Sequence, residues 1–494
     1  MSDERPDDVL AVRRAKLDRL RERGIEPFAL RYERDATAAE LHEQHEELEP
    51  GKETGTSVRV AGRVVGLRRI GQLTFAVLRD GSGDIQLMLS EEALGPDTYA
   101  VLDELDMGDW VGAQGEVVKT RRGELSVRPS ELSILAKALR PLPEKWHGLK
   151  DVELRMRQRY LDFATNEEAR ALVQKKARML GALRRHLEQR GFLEVETPIL
   201  QTIPGGGLAT PFQTYHEALG IPMYMRIAPE LFLKRLLVGG FERVYEIGRN
   251  FRNEGISPKY NPEFTMLEAY QAFGTYEDMA ELTEGLVKTA AEAVNGSLAF
   301  THGGREVDLS KPWRHATLIE LASEAVERDV SLDTPVEGLQ KIADERGVAY
   351  DPSWGPGKMI LELFEKLVEE TLVEPTFVKD FPREVSPLAR THRDDPRLTE
   401  HFDLTIGGVE IAPAYSELND PDEQRRRFEM QADQKASGEA ETHPFDEDFL
   451  VALEHGMPPA GGMGLGVDRL LAVLTDAPAL REVIAFPAMR PEGE

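Results

Sequence analysis

The run from Val244 to Phe273 reads as two antiparallel strands around a polar loop, Val244 to Asn253 and Phe264 to Phe273. Side chains alternate faces along a strand. Glu246, Gly248, Asn250 and Arg252 therefore share one face of the first arm, and Phe264, Met266, Glu268 and Tyr270 share one face of the second. A core face would be aliphatic, and a solvated face would carry neither Phe264 nor Met266. A surface that mixes an arginine, two glutamates and two aromatics suits a ligand with both a flat apolar ring and charges.

The rest of the chain must supply a scaffold for that face. At 494 residues it is long for one domain, so two or three are expected. There is no cysteine, which excludes disulfides and cysteine-ligated zinc. No apolar run reaches membrane-spanning length, and Met1 to Pro6 is too acidic and polar for a signal peptide, so a cytoplasmic enzyme is expected. The formal charge of -27 argues against a non-specific polyanion binder without excluding nucleic acid at a local patch. Arg13, Arg14, Lys16, Arg19, Arg21 and Arg23 form one candidate patch.

Val9 to Arg23 has helical spacing at Val12, Leu17 and Leu20 and stops at Gly24; Asp35 to Glu49 is a second, acidic helical stretch. From Thr56 the period changes to two. Five short strands, with one helical insert from Glu91 to Asp106, predict a small closed barrel of the OB type. Pro141-Leu142-Pro143 ends it. Thr165 with Glu168 predicts a capping box for a long helix ending at Gly191. Beyond it strands and helices follow without regular alternation, so an antiparallel sheet flanked by helices is expected rather than a doubly wound parallel sheet. The expected architecture is α+β and multidomain: a helical extension (1–55), an OB barrel (56–140), a linker (141–165) and a large sheet domain (166–494).

No phosphate loop is present, because Gly355-Pro356-Gly357-Lys358 lacks the first glycine at the required spacing. Other segments carry chemistry. Asp403 to Glu410 reads as a hairpin with a Gly407-Gly408 turn, pairing Ile406 with Val409 and Thr405 with Glu410. Asp403 and Glu410 then become diagonal neighbours, able to converge on a cation or to remain harmless surface acids. Gly461-Gly462-Met463-Gly464-Leu465-Gly466-Val467-Asp468-Arg469 precedes a helical run, and Gly464 and Gly466 leave one strand face bare for close approach. Arg226-Ile227-Ala228-Pro229-Glu230 starts a helix with proline at the first position. Arg252 offers a fork to carboxylate and phosphate oxygens, or an ion pair to Glu246 or Glu268.

Three of these segments, in this order, resemble the motifs of class II aminoacyl-tRNA synthetases in the form the lysine enzymes carry: Gly191 to Gln201 is similar to motif 1, Gly248 to Tyr270 to motif 2 and Gly461 to Arg469 to motif 3. The resemblance runs from about residue 55 to Met489. It implies a synthetase that joins lysine to ATP and then to tRNA(Lys). Arg252 and Arg469 would be the catalytic arginines. Arg252, Glu254, Tyr260, Asn261, Phe264, Glu410 and Arg469 would bind ATP, with Phe264 under adenine and Arg469 over it. Gly206, Glu230, Arg252 and Glu268 would hold the amino and carboxylate groups of lysine, and Tyr270 and Glu417 its ε-ammonium. Asp403 and Glu410 would hold magnesium. Arg68, Phe75 and Gln86 would read the anticodon from the barrel, and motif 1 would build a homodimer.

Two rivals stand beside this reading: an aspartate or asparagine synthetase of the same layout, of which the aspartate form would need a basic residue in the amino-acid site, and a non-catalytic RNA-binding protein derived from a synthetase. The chain also departs from the usual pattern. Tyr260 stands for histidine, Thr210 for arginine, Glu217 for asparagine, and Ala412-Pro413-Ala414 for a run centred on asparagine.

Overall fold

The computed structural model describes residues 6–143, 151–207, 209–436 and 444–491. It divides into two compact units, residues 1–150 and 151–494.

The first unit is a closed five-stranded barrel: β1 (Glu53–Ile70), β2 (Leu73–Arg79), β3 (Asp84–Ser90), β4 (Trp110–Lys119) and β5 (Leu125–Ala136), in the order β1-β2-β3-β5-β4. All neighbours are antiparallel except β3 and β5. Short helical turns between Glu91 and Glu104 fill the β3–β4 connection. Period-two alternation decides what faces inward. Ala76, Leu78, Leu87 and Val127 are buried in the barrel core, while Phe75, Val77 and Gln86 point outward.

Two helices precede the barrel, α1 (Pro6–Glu22) and α2 (Ala38–Gln44). Thr37 and Glu40 close a capping box on α2. Along α1 the expected apolar stripe holds at Leu17 and Leu20, but Val12 is exposed and Arg13 is buried in its place. The Arg13 guanidinium donates to the carbonyls of Ala138 and Met107 at 2.9 and 3.2 Å. The expected basic patch is largely neutralised: Lys16 pairs with Asp106 at 2.8 Å and Arg19 with Glu104 at 2.8 Å.

The second unit opens with α3 (Val152–Arg157) and α4 (Arg159–Thr165), which occupy part of the stretch expected as linker; residues 144–150 lie outside the described residues. The long helix α5 (Glu167–Gln189) is capped by Asn166, whose side chain accepts from the Glu168 and Ala169 N–H groups. The expected Thr165 cap is therefore displaced by one residue, and the Thr165 hydroxyl instead donates to the Leu161 carbonyl at 2.8 Å. Gly191 follows at φ 78° and ends the helix.

An eight-stranded sheet forms the body of this unit. Its strands are β6 (Leu193–Glu194), β7 (Arg243–Phe251), β8 (Glu263–Ala272), β9 (Arg314–Thr317), β10 (Thr376–Pro382), β11 (Leu398–Ile406), β12 (Val409–Ser416) and β13 (Ala460–Gly466). The order is β9-β10-β11-β12-β13-β8-β7-β6. The two outermost pairs, β9 with β10 and β6 with β7, are parallel, and every other pair is antiparallel. Helix α6 (Glu230–Val238) follows the turn after Arg226, α7 (Tyr276–Asn295) packs across one face of the sheet, and α8 (Val467–Leu474) follows β13. Pro229 is the N-cap of α6 rather than its first helical residue, one position earlier than expected.

Alternation splits the sheet into two chemically different faces. Tyr245, Leu267, Phe402, Leu404, Met463 and Leu465 point to one side and join the core with Leu183 and Leu187 of α5 and Leu282 and Leu286 of α7. Truncating a fully buried leucine such as Leu183 or Leu286 would cost roughly 2–5 kcal/mol. Their strand neighbours Glu246, Met266, Glu268, His401, Asp403, Gly462 and Gly464 face the other way.

Candidate active site

The two motif strands pair in the expected face: Glu246 lies opposite Glu268, Gly248 opposite Met266 and Asn250 opposite Phe264. On the other side of β8, Gly464 lies opposite Glu268 and Gly462 opposite Tyr270. The bare glycine face is needed there, because a Cβ on Gly462 would collide with Glu417 Oε1 and the Tyr270 ring.

Two cavities open on this face. The first, about 350 Å³, is lined by Arg252, Glu254, Tyr260, Asn261, Phe264, Glu410 and Arg469 among others. The second, about 220 Å³, is lined by Gly206, Glu230, Arg252, Glu268, Tyr270 and Tyr415 among others. Arg252, Met266 and Pro413 border both. Every residue expected at the ATP site borders the first cavity. Of those expected around lysine, all but Glu417 border the second.

Arg252 has no ion-pair partner among the described residues, and its Nε is buried without a hydrogen bond. The structural alternative, a pair with Glu246 or Glu268, does not form. Glu246 is taken by Arg226 at 2.5 Å and accepts from the Thr197 hydroxyl at 2.7 Å. The Arg252 guanidinium carbon sits 5.2 Å from the Phe264 ring centroid, a cation–π distance. Gly206, at φ 82°, brings its backbone against Glu230; a Cβ there would lie 2.9 Å from the Glu230 Cβ.

Across the first cavity, Arg469 is held by Glu410, donating to its carbonyl at 3.2 Å and lying 3.4 Å from its carboxylate. Its guanidinium carbon is 5.8 Å from the Tyr260 ring centroid. Asp468 fixes the spacing between the two walls: it accepts the Thr265 N–H at 2.8 Å, next to Phe264, and pairs with Lys176 of α5.

The second cavity is walled by acids. Burial, then the neighbouring Glu230, pushes the Glu268 carboxyl well above its ordinary range; the Tyr270 hydroxyl donates to it at 3.2 Å. Burial, then Glu230, Glu268 and Glu417, also raises the Tyr270 phenol. Glu417 is fully buried behind this wall. Its carboxylate pairs at 2.5 Å with Lys234, which also pairs with Glu230 at 2.6 Å. Burial alone would pull the Lys234 ammonium down, but the two carboxylates hold it up.

The hairpin forms as expected, with Gly407 and Gly408 both at positive φ and Thr405 opposite Glu410. A bulge between Leu404 and Thr405 inserts Ile411 into the core and puts Pro413 opposite Asp403, so Asp403 and Glu410 are offset by one residue from the diagonal pairing expected of a regular hairpin. The Glu369 carboxyl is pushed up to about 7 by burial, then by the negative charges of Glu410 and Asp403. Among the described residues no three ligands form a preformed metal cage. A magnesium ion held by one or two carboxylates and completed by substrate phosphates needs no such cage, so Asp403 and Glu410 suit it. His401 buttresses Asp403: Nε2 lies 2.9 Å from Asp403 Oδ1, and Nδ1 lies 2.8 Å from Ser386 Oγ.

Residues 151–490 match the family model described as tRNA synthetases class II (D, K and N), and residues 58–135 match the OB-fold nucleic acid binding domain. The lysine–tRNA ligase of Syntrophomonas wolfei is 50% identical over 486 residues, covering 98% of each chain. That of Carboxydothermus hydrogenoformans is 49% identical, again over 98% of each. That of Magnetococcus marinus is 46% identical over 100% of this chain and 99% of its own. The chain belongs to the lysine–tRNA ligases. The fold expected from the resemblance, an OB barrel followed by a class II synthetase sheet, is the fold observed.

Within this family fold, the three residues expected to read an anticodon share the outward face of the barrel. Arg68 of β1 lies opposite Phe75 of β2, with its guanidinium carbon 5.9 Å from the ring centroid. Gln86 of β3 lies opposite Val77 and donates to Ser126 Oγ at 2.8 Å. Phe75 lies outside the barrel core, so it does not serve as apolar filling. In the motif 1 segment Leu193, Ile199 and Leu200 are 50%, 43% and 49% exposed, unlike a buried strand. Lys234, Glu369, Asp468 and His401 were not singled out from sequence. Only Asp468, beside Arg469, carried a local signal.

Proposed function

We propose that this chain activates L-lysine with ATP and transfers the lysyl group to the 3′ end of tRNA(Lys). The observation that carries the reading is the meeting of two unlike cavities at one unpaired arginine. The acid-walled cavity suits an amino acid with two ammonium groups. The other offers an aromatic ring and an arginine to a nucleotide. In activation, a lysine carboxylate oxygen bonds to the α-phosphorus of ATP while the bond to pyrophosphate breaks. Arg252, at the seam, faces both the carboxylate and the phosphate and stabilises the charge that shifts between them. In transfer, a hydroxyl of the terminal tRNA adenosine bonds to the lysyl carbonyl and AMP leaves. No side chain becomes covalently attached; positioning and electrostatics carry both steps.

Phe264 and Arg469 would enclose adenine, with Glu254 at its edge and Tyr260 and Asn261 closing the loop side. Glu230, Glu268 and the backbone at Gly206 would receive the α-ammonium, and Tyr270 and Glu417 the ε-ammonium. Asp403 and Glu410 would hold magnesium, which supplies positive charge to the ATP phosphates. Arg68, Phe75 and Gln86 would stack on and hydrogen-bond single-stranded anticodon bases. The exposed apolar residues of motif 1 support a homodimer. No helix among the described residues is long and apolar enough to cross a membrane; we place the enzyme in the cytoplasm with its tRNA.

An aspartate enzyme would need a free cation at the side-chain end of the amino-acid cavity. Arg226 and Lys234 are both buried and paired to acids. Amino-acid-dependent pyrophosphate exchange across all twenty amino acids tests the reading. Lysine should be the strongly activated substrate; exchange driven by aspartate or asparagine, or by none, would overturn it.

A further inference from the structure

Lys234 has no role in the reaction as written, yet it occupies an unusual place. It is fully buried in α6, and its ammonium bridges Glu230, one turn earlier on the same helix, and Glu417, just after β12. From the two pair distances, the bridged oxygens lie within roughly 5 Å of each other. Glu230 borders the amino-acid cavity and Glu417 stands behind it, against the Tyr270 ring at Gly462.

The charges around this cavity do not cancel. Glu230 from α6, Glu268 from β8 and Glu417 are acids, and Lys234 is the cation among them. Arg226 and Glu246 cancel as a pair. Tyr270 and Tyr415 are neutral phenols, His401 faces Asp403 rather than the acids, and Arg252 stands at the opposite, carboxylate end. Burial keeps Glu268 raised in the empty cavity, but a substrate ammonium beside it favours its ionised form; three carboxylates against one ammonium then leave two formal negative charges. A lysine brings two ammonium groups, and its carboxylate has Arg252.

We infer that Lys234 is a positioning residue that sets the specificity of the amino-acid site: from behind the wall it bridges Glu230 and Glu417 and offsets their mutual repulsion, so that neither has to take a proton before a diammonium substrate arrives. This deepens the assignment of that cavity to lysine and rests on it. Without Lys234, two buried carboxylates face each other unpaired. Like charges so close in low dielectric do not both stay ionised, so one takes a proton. The wall then loses the ionised oxygen that one ammonium of the substrate needs. The protonated acid is driven off again at higher pH.

The test is pyrophosphate exchange by the full-length enzyme carrying Lys234→Met or Lys234→Gln, from pH 6.5 to 9. Both variants should raise the lysine KM about tenfold or more at pH 7 while the ATP KM stays within about threefold. The lysine KM should recover as pH rises, with its inflection above that of the wild type. Their preference for lysine over norleucine, which lacks the second ammonium, should fall. Lys234→Gln keeps a hydrogen-bond donor and carries the test if Lys234→Met does not fold. A lysine KM within twofold of wild type, or lysine and ATP KM rising together with no recovery at high pH, overturns the inference. Glu417→Gln separates the two levels. If it leaves the lysine KM normal, the placement of lysine itself fails. If it raises that KM while the Lys234 variants do not, only the role of Lys234 fails.

Discussion

The two cavities share a wall but hold their charges in opposite ways. At the amino-acid end the acids are buried, and each has a protein partner: Glu230 and Glu417 have Lys234, and Glu268 has the Tyr270 hydroxyl. At the nucleotide end Glu254 and Tyr260 are exposed, Arg469 is paired to Glu410, and the central Arg252 has no counter-ion among the described residues. The difference follows from solvation. Buried charge without a partner costs several kcal/mol, so a site that selects by buried acids must carry its own cation. A site that stabilises a transient charge gains most from a group left unpaired until the ligand arrives. On the proposed reading, selection and catalysis are separated along one sheet face, and Arg252 stands where they meet.

The sharpest way to break this division is Arg252→Ala. The charge-assisted interaction that this change removes belongs to the transition state, so exchange should slow by roughly 10²–10³, about 3–4 kcal/mol. The fold should survive, because no described ion pair depends on this side chain. Exchange within tenfold of wild type, measured at saturating lysine and ATP, would remove Arg252 from the seam.

Phe264→Ala sharpens the same comparison from the nucleotide side. Loss of one stacking platform costs about 1–3 kcal/mol, so the ATP KM should rise tenfold or more while the lysine KM stays within about threefold. A matching rise in both would mean that the cavities act as one site rather than two.

A smaller effect is expected from the barrel, which belongs to the other compact unit. Phe75→Ala removes an outward-facing ring, and the tRNA KM in aminoacylation should rise about fivefold to tenfold, the low end of the stacking range. Lysine-dependent exchange without tRNA should be unchanged. A variant that loses both activities together would show Phe75 to be structural.

What the sequence disclosed and what it hid follow the range of the interactions. Strand pairing from Val244 to Phe273, the Gly407-Gly408 turn and the bare face at Gly464 and Gly466 are set by neighbours a few residues apart, and all were legible. Near misses were local too: Asn166 caps where Thr165 was expected, because both can, and the backbone chose the residue already extended. Arg13 replaced Val12 in the buried stripe of α1 because carbonyls distant in sequence reward a buried guanidinium. Lys234 was invisible for the same reason. In Leu231-Phe232-Leu233-Lys234-Arg235 it reads as an ordinary polar position, and only the fold brings Glu417 to it. His401 and Glu369 likewise acquire meaning from strands and turns that meet in space.

Glu369 gives the smallest expected effect and the one most particular to this chain's electrostatics. It belongs to neither cavity's lining, yet its carboxyl is pushed from 4.5 to about 7 by burial, then by Glu410 and Asp403. An acid whose folded-state pKa is raised binds a proton more tightly folded than unfolded. Its contribution to stability is complete below the unfolded value and is lost as pH rises through the folded value, between about 4.5 and 7. Above that window the ionised carboxylate weighs against the folded state. Glu369→Gln removes the penalty, so the variant should melt higher than wild type at pH 8, with the gap closing toward pH 5. Partial exposure screens the group, so the shift should be only roughly 1–2 °C for a unit this large. Thermal denaturation at the two pH values, without nucleotide or divalent cation, measures it. A gap that is absent at pH 8, or that widens toward pH 5, would mean that the third acid does not feel Asp403 and Glu410. The two expected magnesium ligands would then face away from it, and the cation site at the nucleotide end would have to be drawn differently.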